Sequence, residues 1–234
     1  MLLDAWDLSG ITVDLILWAQ GADPEVIRSR RPQLVKFAER AMAEVDVFVK
    51  PVLVYHEVAA PVLSEDDLVF EDRFSWGGLA PHCFLNADTV VLMVGTIGAD
   101  LEAKVSALMH VEPAYALAVD ALGTVALDVL ERAALNYVKV SAAAQGLRVT
   151  KPFSPGIAGW PLAEGQQQIF ALLDPVEVQA IGLTLLPSAQ LHPKKSFSLA
   201  LGVGQDVQED GHLHFCDTCA LRATCAYQGR HLMA

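Results

Sequence analysis

Residues 114–144, "AYALAVDALGTVALDVLERAALNYVKVSAAA", read as one uninterrupted helix, and no other feature restricts the fold of this chain as much. Leu117, Leu122, Val125, Val129, Leu130 and Ala133 fall on one broad apolar stripe at helical spacing. A stripe of that length must be covered, because a helix draws most of its stability from the surface it packs on. Two segments can supply that surface. "DTVVLMVGTIG" (88–98) is apolar throughout, as in a strand buried on both faces. "SFSLALGVG" (196–204) alternates: Phe197, Leu199, Leu201 and Val203 point one way, and Ser196, Ser198, Ala200 and Gly202 the other. That period of two predicts a half-buried strand.

The other elements do not alternate strictly between helix and strand. Met1–Gly21 is mixed, and Asp23 with Pro24 marks a helix start. A helix is expected over 24–46, kinked or restarted at Pro32. A strand is expected at 50–58, hairpin and loop at 59–82, and a short helix at 99–110. "TKPFSPGIAGWPLAEG" is a break, Pro161 opens a helix over 161–174, and "VQAIGLTL" reads as a strand. This order predicts an α+β fold rather than a doubly wound sheet.

Composition narrows the function. The chain is 53% hydrophobic with a mean hydropathy of +0.36, which excludes disorder. Its formal net charge is −12, and the 16 Lys and Arg are spread thinly, so nucleic acid and anionic lipid are poor partners. Charge-free runs such as 74–87 are too short to span a membrane, no basic leader precedes an apolar run, and the expected compartment is the cytoplasm.

The cysteines carry the sharpest chemistry. Cys216-x2-Cys219-x5-Cys225 crowds three thiols into the tail, and Cys83 lies far upstream. Two disulfides are disfavoured in a cytoplasmic chain of this size, and clustered thiols suit metal ligation better. A [4Fe–4S] cluster needs four ligands, which Cys83 would complete. Zinc held by the three tail cysteines with His212 or His214 is the alternative. Free buried cysteines are the third option. His56, His82, His110 and His192 have no ligand spacing. The tail pattern with one distant cysteine also resembles the iron–sulfur staple of certain helicase–nuclease proteins, in cluster geometry alone.

Four blocks stand in register: "VGTIGADLEAKV", "AVDALGTVALDVLE", "FSPGIAGWPLAEGQQQIFALLD" and "IGLTLLPSAQLHPKKSFSLALGVG". Together they resemble the activation (reactivation) domain of cobalamin-dependent methionine synthase, in its short stand-alone form, over roughly residues 24–204. The resemblance implies a C-shaped α+β domain, a twisted antiparallel sheet flanked by helices, occupying 1–204, with 205–234 as a cysteine-rich tail packed on it. It also implies docking on a corrinoid-binding protein or cobalamin-dependent methyltransferase, and S-adenosylmethionine as a ligand. Asp120, Ser154, Pro155 and Gly156 are the matching cofactor-site candidates. The family's Arg and Tyr positions beside that ligand hold Pro152 and Ile157, which supply neither charge nor hydroxyl. Lys151 and Phe153 flank the gap. Lys194 and Lys195 are expected to cap a strand end in solvent.

Two functions follow as expectations. One is reductive activation of a corrinoid-dependent methyltransferase, with a [4Fe–4S] cluster at Cys83, Cys216, Cys219 and Cys225 as electron carrier or staple. The other is a non-redox docking subunit that binds S-adenosylmethionine, with zinc or a structural cluster at the cysteines.

Overall fold

The computed structural model describes residues 2–3, 6–21, 23–59, 62–64, 67–70, 74–76, 84, 86–156, 159–208 and 223. Strand β1 (Leu2–Leu3) precedes helices α1 (Val13–Ala19), α2 (Pro24–Arg30), α3 (Pro32–Ala43) and the single turn α4 (Val45–Phe48). Strands β2 (Val52–Ala59), β3 (Val62–Ser64), β4 (Asp67–Phe70), β5 (Phe74–Trp76) and β6 (Thr89–Thr96) follow. Helices α5 (Asp100–Met109) and α6 (Pro113–Ala143) come next, then β7 (Arg148–Val149), α7 (Leu162–Leu172) and α8 (Pro175–Ala180). Strands β8 (Thr184–Leu185), β9 (Leu191–His192) and β10 (Ser196–Gly204) close the order.

The main sheet has the order β1-β2-β6-β10-β7, and every neighbouring pair is antiparallel. β3-β4-β5 form a second small sheet, and β8 and β9 pair with each other. The fold is therefore α+β, an antiparallel sheet flanked by helices.

The sheet separates two cores. On one face Leu53, Val91, Met93, Leu199 and Leu201 pack with Ile16, Ala38, Leu122, Val125, Leu130 and Val138 from the helices. Gly95 is required there: a Cβ on it would lie 2.6 Å from the Phe197 ring that crosses it. The opposite face carries Val54, Val90, Leu92 and Val94 against Trp76, Phe84, Phe153, Trp160 and Ile169.

Helix α6 is long and apolar enough to cross a membrane, with a mean hydropathy of 1.4 in its most apolar window. Most of its apolar residues, however, pack in the core, from Tyr115 and Val119 through Val138. At its start, Gly123 meets Leu101 of α5, where a Cβ would come within 2.8 Å. At its end, Gly146 takes a left-handed φ of 74° and turns the chain straight into β7.

Several local expectations change. Pro32 does restart the helix, so 24–46 is three helical pieces, and Asp23 caps the first by accepting from Glu25 and Val26 N–H. Leu117 leaves the apolar stripe and is 54% exposed. Of "VQAIGLTL" the first three residues belong to the end of α8, which Asp174 caps and Pro175 starts, and only Thr184–Leu185 are strand. β10 is buried on both faces, not one. Two of its small residues face close neighbours: Ala200 lies opposite Phe153, and a Cβ on Gly202 would lie 3.0 Å from Ala87 and Thr150 and 3.1 Å from Phe84.

Candidate functional site

The segment after α6 builds the most distinctive surface feature. Val149 pairs with Val203, Thr150 N–H donates to Gly202 O at 2.9 Å, and Phe153 and Ala200 exchange two bonds. Lys151 and Pro152 therefore stand together opposite the single Leu201, which is a bulge in the sheet's edge. Proline is tolerated at such a bulge because no ladder bond is asked of it. The Thr150 hydroxyl secures the bulge, accepting from Gly202 N–H at 2.9 Å and donating to Lys151 O at 3.0 Å.

Between this bulge and the last turns of α6 lies a cleft of about 320 Å³. Leu135, Leu147, Val149, Pro152 and Leu201 supply its apolar wall. Lys139, Arg148 and Lys151 supply its charge, and among the described residues no acidic side chain lines it. Among the described residues none of the three cations forms an ion pair. Glu131 precedes Leu135 by one turn on the same row of α6. Burial, with the negative charge of Asp128, pushes Glu131 up to about 6, and Arg132 offsets this only in part.

Ser154, Pro155 and Gly156 follow the bulge but do not line the cleft. Gly156, at φ 94°, donates its N–H to Trp160 O at 2.8 Å and closes a loop. That loop seats Trp160 in the second core, 2% exposed, stacked on Phe153 at 5.0 Å and 5° between planes. Trp160 Nε1–H donates to Gln168 Oε1 at 2.8 Å, so the ring is buried without losing its polar group. Gly165 makes room, since a Cβ there would meet the indole at 2.7 Å.

Asp120 lies elsewhere, on the middle of α6. It pairs with Lys195 at 3.0 Å, and Lys195 Nζ also donates to Thr124 Oγ1 at 2.8 Å. The Lys195 side chain is only 18% exposed, so the expectation of a solvent cap is corrected. Lys194 N–H donates to Glu102 of α5. These bonds latch the start of β10 to α5 and α6. The partner the structure gives the Asp120 carboxylate is thus Lys195.

Cys83, Cys216, Cys219, Cys225, His212, His214 and Ile157 lie outside the described residues. Among the described residues no group of His, Cys, Asp and Glu is arranged to hold a metal. The residues that follow Cys83 and those at the root of the tail are described, and they meet. Phe84, next to Cys83, is buried, and Val207, nine residues before Cys216, is 1% exposed. Asp88 N–H donates to Val203 O at 2.8 Å, Gln205 N–H donates to Asp88 Oδ2 at 3.3 Å, and Asn86 Nδ2 donates to Asp206 O at 3.4 Å. A Cβ on Gly204 would sit 2.6 Å from Asn86 O, so the two segments touch backbone to backbone.

The cationic cleft was not visible from sequence. Lys139 and Lys151 are distant along the chain, and only the turn after Gly146 folds one onto the other. The signal available was the polar interruption "LNYVK" near the end of an otherwise apolar helix.

The architecture defines the class: an α+β domain with one long core helix on an antiparallel sheet. Among solved structures the chain is similar to the MetH reactivation domain bound to AdoHcy, at 16% identity and a TM-score of 0.60, covering 90% of this chain and 80% of that one. The activation-domain fold implied by the four sequence blocks is thus the fold observed. No family model matches the sequence, and no curated protein does.

Proposed function

We propose that this chain is an activation subunit for a cobalamin-dependent methyltransferase, docking on the corrinoid-binding protein and serving its reductive reactivation in the cytoplasm. The observation that carries the reading is the likeness to the MetH reactivation domain over 90% of the chain. The expected organisation is a docking domain over 1–204 with a metal-bearing tail over 205–234.

The tail would hold a [4Fe–4S] cluster through Cys83, Cys216, Cys219 and Cys225. The donor set suits iron, since four thiolates are its usual ligands. The backbone contact between Asn86–Asp88 and Gly204–Asp206 supports it, because it keeps the flank of Cys83 beside the root of the tail. When bound, such a cluster would supply single electrons, at a potential within the span of about −700 to +450 mV that such clusters cover. The chain's own part is to dock, to hold the thiolates and to fix their distance from the partner. Zinc on the same thiolates would leave a docking role alone.

Docking is tested by gel filtration with a cobalamin-loaded methionine synthase. Co-elution, with accelerated loss of the cob(II)alamin absorbance under a chemical reductant, is the expected result. Separate elution and an unchanged cob(II)alamin spectrum would remove the activation reading.

A second reading, non-redox docking with S-adenosylmethionine bound, is favoured by the AdoHcy in the similar structure. Calorimetry with S-adenosylmethionine tests it: heat saturating at one ligand per chain supports it, and no heat at millimolar ligand removes it.

A further inference from the structure

We infer that the cleft between α6 and the Lys151–Pro152 bulge is a binding site for an anionic, mononucleotide-sized ligand, of the class of nucleoside phosphates. The inference rests on charge and shape and does not need the activation reading, although Pro152, at a position the resemblance sets beside the family's ligand, lines this recess.

The protein is strongly acidic, yet Lys139, Arg148 and Lys151 converge on one recess without a carboxylate among its lining residues. Unpaired like charges brought together repel, so the fold gains nothing from this arrangement by itself. Capping of α6 does not account for it. The final carbonyls already accept from backbone: Val140 O from Ala144, Ala142 O from Gln145 and Leu147, and Ala143 O from Gly146. Ser141 O accepts from the Gln145 side chain. Among the described residues, therefore, the three cations have neither an ion-pair partner nor a capping role. Arg148 is fixed by its register opposite Gly204, and Lys151 is turned into the cleft by the bulge.

Beside the cations stands an apolar wall of Leu135, Leu147, Val149 and Leu201. A bare inorganic anion would leave that wall wet. A ligand with a phosphate at one end and a flat apolar body at the other satisfies both halves. The volume of about 320 Å³ falls at the lower end of small-molecule sites, as a mononucleotide requires. The same charges oppose a sulfonium cation, so S-adenosylmethionine is the wrong sign for this recess.

The test is calorimetric titration of the full chain with AMP, adenosine, inorganic phosphate and S-adenosylmethionine at low ionic strength. AMP should bind about tenfold or more tightly than adenosine, and its affinity should fall as salt rises. Lys139→Gln with Lys151→Gln should weaken AMP by about tenfold or more without lowering Tm. Arg148→Gln should weaken it separately, while Arg30→Gln on α2, the same charge change elsewhere, should not. Adenosine binding as tightly as AMP would overturn the inference. So would phosphate binding as tightly as AMP, tighter binding of S-adenosylmethionine, or no heat with millimolar AMP.

Discussion

The two ends of β10 are built oppositely. At its start, Lys195 is enclosed and answered: Asp120 and Thr124 bind its ammonium, and Glu102 takes the neighbouring N–H. At its end, Leu201 floors a cleft whose three cations have no ionic partner among the described residues, and Gly204 abuts the segment that follows Cys83. A charge that is paired and covered serves the fold. Charges gathered and left unpaired, on a strand held by glycine-tight backbone contact, mark the end where ligands are to be sought.

The comparison can be broken most severely behind the open end. Trp160→Ala should cost about 3–5 kcal/mol in urea unfolding, since it empties the stack on Phe153 and removes the indole N–H that Gln168 Oε1 accepts. A loss below about 1 kcal/mol would mean that the "SPGIAGWP" loop is not a structural plug.

Gly204→Ala is next. Its Cβ would meet Asn86 O at 2.6 Å and Asp88 N at 3.0 Å, both backbone atoms, at an expected cost of about 1–3 kcal/mol. Bound iron should fall in this variant and not in a variant of equal stability loss at the other end. Equal iron in both would separate the strand contact from the metal site.

At the closed end, Asp120→Ala leaves a mostly buried ammonium with one hydroxyl partner, and about 1 kcal/mol should be lost. Lys195→Met should cost less, because Asp120 is half exposed and can be hydrated. Neither should change AMP binding. If either does, the two ends are coupled.

The smallest effect is a pH dependence. Glu131 is held up to about 6, above its usual carboxylate value, chiefly by burial. The unfolded chain then loses that proton first, so folding is weakened progressively as pH rises toward 6 and fully above it. Glu131→Gln should gain about 1 kcal/mol at pH 7.5, discounted for partial exposure, and nothing near pH 4. Thermal unfolding at the two pH values checks it, and equal gains at both would remove the desolvation explanation.

Much of the fold was legible because periodicity reports burial directly. The stripe of α6 and the apolar run of β6 could be read before any contact was known. β10 was misread as half-buried because small residues look polar-facing when they are making room for Phe84 and Phe153. The α8 segment was misread because its β-branched residues outweighed one Asp-Pro start signal. The candidate site was less legible. Pro152 marked the bulge position, but Lys139 and Lys151 meet only through a left-handed turn and a two-against-one register that no spacing rule encodes. The cysteines were legible as chemistry from the start, and the structure adds the contact between the segment after Cys83 and the root of the tail.

The most direct measurement is iron and acid-labile sulfide per chain in anaerobically purified protein, taken with and without Cys83→Ser. Four thiolates around one cluster predict about four irons and four sulfides per chain, a brown colour that bleaches with dithionite, and loss of most iron in the variant. A colourless protein carrying one zinc, or iron unchanged by Cys83→Ser, would contradict it.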